Sequence, residues 1–154
     1  MSVWAILAAA GRGDRLGLDR PKAIAPLNDR PLIAESLERL EASEWIEGIV
    51  VAAPPEWEEP CILVAEEVAA GKVAGTVTGG ESRSESVRAA LAEVVRNLSL
   101  RDHEKGLSTG EKQMFVKAKK ILVSELMYAK GMDEDDAAVW LDEELDSVGA
   151  KVAT

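Results

Sequence analysis

The chain has 154 residues, enough for one ordinary domain or two small ones, and at 47% hydrophobic and 30% charged it can bury a core. Its formal net charge of -10 opposes nucleic acid as an overall partner, because phosphate neutralisation by Lys and Arg supplies much of that affinity. Neither half escapes this: residues 1–90 hold 9 basic and 15 acidic groups, and 91–154 hold 9 and 13. The single cysteine, Cys61, excludes an internal disulfide and fits a reducing compartment. No apolar run approaches the ~20 residues of a membrane span, and the amino terminus lacks the basic-then-apolar layout of a signal peptide. A cytoplasmic protein with no membrane partner is expected.

In chain order, the apolar run at residues 3–7 predicts a short buried strand. It opens into Ala8-Ala9-Ala10-Gly11-Arg12-Gly13-Asp14-Arg15-Leu16, with Pro21-Lys22 beyond. Glycines let a main chain approach a ligand closely, and free N–H groups form a concavity for anions. Arg15 and Lys22 would add full positive charge to the same oxygens. The spacing is neither G-x-G-x-x-G nor a P-loop, and a purely structural turn is the alternative. Residues 33–42 predict a helix with Leu37 and Leu40 on one face. A second strand at 49–53 is ended by Pro54-Pro55, residues 61–70 predict a helix, 73–77 a third strand, and Ser84 starts another helix. Cys61 follows Glu58-Glu59-Pro60, where carboxylates oppose a thiolate, so it reads as a half-buried helix residue and not as a catalytic thiol.

This alternation argues for a parallel three-stranded sheet with right-handed crossovers, whose ligands sit beyond the carboxyl ends of the strands. The turns at Ala8 and at Gly79 both follow strands, so both can face one crevice.

The second half reads as helical. Ser108-Thr109-Gly110-Glu111 has the form of a capping box, and Phe115, Ala118, Leu122, Leu126 and Ala129 recur at helical spacing up to Gly131. Asp133 then caps a further helix with an apolar face at Ala137, Trp140, Leu141 and Leu145. Helices at approximately 84–102, 109–130 and 134–147 would form a small bundle. His103 lies among charges and reads as a surface residue.

The string from Ala8 through Pro26-Leu27 and Arg30-Pro31-Leu32-Ile33 resembles sugar-nucleotide pyrophosphorylases and their nucleotidyltransferase relatives. Together with Gly79-Gly80-Glu81-Ser82-Arg83-Ser84-Glu85-Ser86-Val87-Arg88, residues 3–90 resemble 2-C-methyl-D-erythritol 4-phosphate cytidylyltransferases. The resemblance implies a truncated Rossmann-like α/β nucleotidyltransferase sheet, CTP as ligand and Mg²⁺ bridging its phosphates. It places Ala9, Ala10, Gly11 and Gly13 around the phosphates and Arg15 and Lys22 on the reacting phosphoryl group. Gly80, Glu81 and Ser86 fall at the base. In that family the helix carrying Ser86 is followed by an apolar strand and a His-Asp-Ala-Ala-Arg-Pro motif, whose aspartate helps hold the metal. Here Arg96-Asn97-Leu98-Ser99-Leu100-Arg101 is no buried strand, and Asp102-His103 is not followed by Ala-Ala-Arg-Pro.

Residues 91–146 instead resemble the end of the CarD family, bacterial transcription regulators that bind RNA polymerase. The matching strings are Ala92-Glu93-Val94-Val95-Arg96-Asn97-Leu98, Lys105-Gly106-Leu107-Ser108 and Ala118-Lys119-Lys120-Ile121-Leu122-Val123-Ser124-Glu125-Leu126. The polymerase-gripping Tudor-like domain of that family is not among these residues, so neither RNA polymerase nor DNA is an expected partner. The chain thus divides into a CTP-binding half-domain at 1–90 and a CarD-like helical region at 91–154, joined near Leu91 without a linker.

The resemblance implies a partial cytidylyltransferase of isoprenoid biosynthesis, moving CMP from CTP to 2-C-methyl-D-erythritol 4-phosphate, with turnover held back by the absent metal-aspartate and sugar-phosphate segments. The alternatives are a CarD-like regulator fragment, or a fusion, natural or engineered, with no evolved activity. A truncated parallel sheet exposes an apolar face and a strand edge. The helices after Gly106 are therefore expected to cover it, from the same chain or from a second copy in a homodimer.

Overall fold

A computed structural model describes residues 2–152; residues 1 and 153–154 lie outside the described residues. Strand β1 (Val3–Ala8) leads through two single-turn 3-10 segments, Asp14–Leu16 and Lys22–Ile24, to a small antiparallel pair, β2 (Pro26–Leu27) and β3 (Arg30–Pro31). Helix α1 (Leu32–Glu41), strand β4 (Ile46–Ala53), helix α2 (Glu58–Ala69) and strand β5 (Val73–Thr78) follow. Helices α3 (Arg83–Lys105), α4 (Thr109–Lys130) and α5 (Glu134–Val152) complete the described chain. Among the described residues, no helix is long and apolar enough to cross a membrane.

The main sheet has the order β1-β4-β5, parallel throughout, as the alternating pattern predicts. Strand β4 lies in the middle and begins at Ile46, three residues earlier than its apolar run announces. From Ile49 to Ala53 its residues are wholly buried, which is why they read as a continuous run: a strand covered on both faces has no polar side to alternate with. Ile49, Val51 and Ala53 face Ile33 and Leu37 of α1 and Cys61, Ala65 and Ala69 of α2 in one apolar cluster. Burying a side chain such as Leu37 stabilises by roughly 1.5–3 kcal/mol. Cys61 is fully buried here rather than half-buried. Its place on the sheet side of α2, among small residues, is a packing outcome that its acidic neighbours in sequence do not reveal.

Val50 points the other way, since successive strand residues alternate. On that face Trp4 lies across its register partner Gly48, where a Cβ would come within 2.6 Å of the indole. Gly75, the partner of Val50, similarly makes room for Glu93 of α3, whose Oε1 would be 2.8 Å from an added Cβ. Glycines at these strand positions mark close approach by a neighbour rather than a break in the strand.

The β2–β3 pair was not visible as periodicity, because it is two residues a side. Its turn residue Asn28 adopts φ 59, which Asn tolerates better than most residues. Arg30 at its far side reaches Glu35 and Glu38 of α1, at 2.6 Å each. At the other end of α1, Lys72 Nζ donates to the carbonyls of Glu41 and Ser43, at 2.5 and 2.7 Å, and satisfies acceptors that a helix terminus leaves open.

The chain divides into two compact units between Glu93 and Val94, within α3. In the second unit α3 ends at Gly106, with φ 75. Helix α4 opens with the predicted capping box: Glu111 N–H donates to Ser108 Oγ and Ser108 N–H to Glu111 Oε2, at 3.3 and 2.8 Å. Gly131, at φ 65, closes α4, and Asp133 accepts from Asp136 N–H at the start of α5. The three helices meet within the unit. Arg101 lies 3.0 Å from Glu111, Lys119 pairs with Asp142, and the Lys130 ammonium stands 3.9 Å from the Trp140 ring centroid. His103, exposed as its sequence neighbours suggest, lies beside Gly149. Helix α5 runs past 147 to Val152.

Candidate functional site

Both glycine turns leave the carboxyl edge of the sheet. Ala9 still pairs, donating to Ala52 O at 2.9 Å. From Ala10 through Gly13 no main-chain N–H finds an acceptor among the described residues, so four consecutive donors are left for solvent or a ligand. Gly13 stands at φ 69, and a Cβ there would meet Lys22 Cβ at 2.8 Å and Lys22 N at 3.0 Å. Conformation and contact both demand glycine. The residue pair thereby ties the exposed loop to the segment that carries Lys22.

The turn after β5 is the reverse. Gly79 N–H donates to Ala53 O at 2.8 Å, Gly80 N–H to Ser86 Oγ at 3.1 Å, and Glu81 N–H to Glu85 Oε2 at 2.8 Å. Glu85 also takes the Ser82 N–H at 3.3 Å, while its own N–H donates to Ser82 Oγ at 3.1 Å. This is a second capping box, with the same S-x-x-E spacing as at Ser108 but not identified from sequence. Buried Ser86 completes the turn by donating to Ser82 O at 3.0 Å. Every main-chain donor from Gly79 to Ser82 is thus spent internally. Beside these spent main-chain donors stands an acceptor, the exposed Glu81 carboxylate.

Among the described residues, three hollows share Gly11. The largest, about 710 Å³, brings Ala10 and Gly11 together with Gly80 and Glu81 and is within the range of small-molecule sites. A second of about 140 Å³ adds Ser86 to those four. A third of about 190 Å³ holds Ala9, Gly11 and Lys22. Gly13 supports Lys22 from behind the loop. Arg15 sits in the exposed turn Asp14–Leu16 and is not among the residues lining these three hollows.

The large crevice contains cations that the motif reading passed over, Arg12 and Arg20. Arg20 is engaged by Asp19 at 3.0 Å, and this contact holds the Asp19 carboxyl below its ordinary range. Arg12 has no ion-pair partner among the described residues. Its position between Gly11 and Gly13 was the available signal: a cation inside the bared loop is closer to its N–H groups than one beyond it. The crevice also takes in Pro54, Pro55, Glu56 and Trp57 from the end of β4. Among the described residues no cluster of three or more His, Cys, Asp or Glu side chains is poised to hold a metal ion.

A parallel sheet with these two turns at its carboxyl edge defines an α/β domain of the nucleotidyltransferase kind. The family model of 2-C-methyl-D-erythritol 4-phosphate cytidylyltransferase matches residues 3–100, and the chain belongs to that family. Relatives bearing that name include a protein of Nocardia farcinica, 38% identical over 91 residues that make up 59% of this chain and 38% of the relative. One from Saccharopolyspora erythraea is 42% identical over 96 residues, 62% of this chain and 42% of its own. One from Halorhodospira halophila is 44% identical over 93 residues, 58% and 37%. The chain thus spans about two fifths of the curated relatives it matches. The family model of the CarD C-terminal domain matches residues 86–142, overlapping the first match within α3.

Proposed function

We propose that the crevice binds CTP, with its phosphates on the turn after β1 and its base at the turn after β5. The observation that carries this reading is the contrast between the turns: four unspent main-chain donors from Ala10 to Gly13, against main-chain donors from Gly79 to Ser82 that are all bonded internally beside the exposed Glu81 carboxylate. Phosphate oxygens need donors, whereas the exocyclic amine of cytosine is itself a donor. In this reading Ala9, Ala10, Gly11 and Gly13 surround the phosphates, and Arg15 and Lys22 place charge on the reacting phosphoryl group. Gly80 and Glu81 accept from the base, while Ser86 holds that turn in shape. Mg²⁺ would arrive on the phosphates, which is its usual mode of binding.

The reaction carried by the relatives' name is cytidylyl transfer to 2-C-methyl-D-erythritol 4-phosphate. The substrate phosphate would attack the α-phosphorus of CTP and release pyrophosphate, with cationic side chains stabilising the charge that develops. The chain is a partial enzyme in this reading, binding the nucleotide and turning over slowly. Residues 1–90 form the nucleotide half. Residues 91–154 form a CarD-like helical region, and the match at 86–142 favours a second reading as a regulator fragment. A second copy of the chain is proposed as a partner, since β1 pairs only with β4 among the described residues and leaves its other edge open. Titration with CTP and with UTP in Mg²⁺, followed by calorimetry and amide shifts, tests the reading. Shifts at 10–13 and 80–86 with CTP support it, and no heat and no shifts would sink it.

A further inference from the structure

The loop at the end of β4 has a shape that folding alone does not require. Pro54 and Pro55 fix two successive backbone angles. Glu56 then adopts φ 68, left-handed backbone that a glutamate rarely takes. Trp57 N–H bonds back to Pro54 O at 3.0 Å, and Trp57 O accepts from Cys61 N at 3.3 Å in the first turn of α2. Two prolines, a turn bond and a helix start therefore hold Trp57 in place. A strained residue beside such a fixed backbone position is the kind of outlier that marks ligand clamps. Trp57 is only partly buried and lines the 710 Å³ crevice. Among the described residues around that crevice it is the one aromatic. Its loop and the acceptor turn leave the sheet side by side, joined by the bond from Gly79 N–H to Ala53 O.

From this placement we infer that Trp57 is the stacking wall of the crevice, against which the ring of a bound pyrimidine nucleotide lies. The inference rests on the proposed nucleotide site and deepens it. Stacking on an indole is tolerant of base identity because every base presents a π-face. Trp57 would thus set affinity for a flat ring, leaving the choice of base to the carbonyls and carboxylate of the acceptor turn. Nothing in this role touches the reacting phosphates, so Trp57 is a positioning residue.

Calorimetry with CTP, UTP and inorganic triphosphate on the full chain and on Trp57→Ala and Trp57→Phe tests this. Truncation should weaken CTP and UTP by the same factor, about tenfold or more, and leave inorganic triphosphate unchanged. Trp57→Phe should recover most of the loss, and the tryptophan fluorescence quenched by CTP in the parent chain should no longer respond in this variant. Circular dichroism of Trp57→Phe establishes that the fold is retained, so the test survives if Trp57→Ala unfolds. Unchanged CTP affinity in a folded Trp57→Ala, or quenching that persists in Trp57→Phe, overturns the inference while leaving the nucleotide site standing. A parent chain that binds triphosphate but not CTP overturns the inference and the base assignment. One that binds none of the three removes the nucleotide reading itself.

Discussion

Ala10 and Gly79 lie face to face: a Cβ built on Gly79 would sit 2.1 Å from the Ala10 methyl carbon. The two residues are almost seventy positions apart, and their contact is what turns two strand-end loops into one crevice. Ser86 Oγ at 2.9 Å and Ala53 O at 3.2 Å close the remaining space.

Gly79→Ala should therefore destabilise the first unit by about 1–3 kcal/mol, the usual cost of overpacking, and should also separate the turns and lower CTP affinity. Gly11→Ala is the contrast. Nothing lies within 4 Å of its Cβ position, so the urea midpoint should hold while a methyl enters the shared wall of the hollows and weakens binding. Equal midpoints for the two variants would contradict the packing described.

The cations separate by position. Arg12→Ala, which removes one of the two cations lining the large crevice, should weaken CTP about tenfold or more, as expected for loss of a charge-assisted contact. Lys22→Ala should do the same from the adjoining hollow. Arg15→Ala tests the proposed phosphoryl contact, and a loss comparable to that of Lys22→Ala supports it. Calorimetric titration of the three variants decides, and unchanged binding in all three would place the phosphates elsewhere.

Glu111 supplies a pH dependence. The hydrogen bond from the Ser108 N–H holds its carboxyl below its ordinary range, aided by the Ser108 hydroxyl and by Arg101 and Lys105, against the opposing effect of burial. The folded state thus favours the ionised form. This contribution is fully present above the unfolded value of about 4.5 and is lost as pH falls through and below it. Thermal melts of the helical unit from pH 7 to 3 should show the decline, and Glu111→Gln should flatten it. Ser108→Ala should cost about 0.5–2 kcal/mol through the lost cap.

The Cys61 thiol is pushed up to about 11, first by burial and then by the nearby Glu58 carboxylate. It should resist alkylation at pH 8 in the native chain and react once denaturant unfolds α2. Rapid modification without unfolding would show that α2 opens locally, a motion that its wholly buried sheet-side residues oppose.

Pyrophosphate release with CTP and 2-C-methyl-D-erythritol 4-phosphate should stay well below ~1 per second, the low end of ordinary enzymes. This follows from the proposed reading as a partial enzyme, in which loss of positioning lowers rate steeply. Turnover at an ordinary rate would mean that other side chains fill that role.

Much of the fold was legible because it is local. Ile49 to Ala53 read as a strand buried on both faces, Ser108 and Glu111 as a helix start, and Gly131 as its stop, each from interactions spanning a few residues. The β2–β3 pair escaped for the opposite reason: two residues a side carry no period, and Pro26, Asn28 and Pro31 speak only through their backbone angles. The cap at Ser82 and Glu85 was equally local but lay inside a string already assigned to ligand binding.

The candidate site divides along the same line. Sequence by itself determined that a glycine turn follows β1, that another follows β5, and that cations flank the first. Only tertiary structure decided that Ala10 meets Gly79, that the Gly79 N–H is spent on Ala53 O, and that Arg12 and Trp57 line the shared crevice. Those outcomes depend on which strands are neighbours and on side chains meeting across long separations. Steric fit and hydrogen-bond satisfaction settle such contacts only when the β1-β4-β5 sheet brings both turns to one edge.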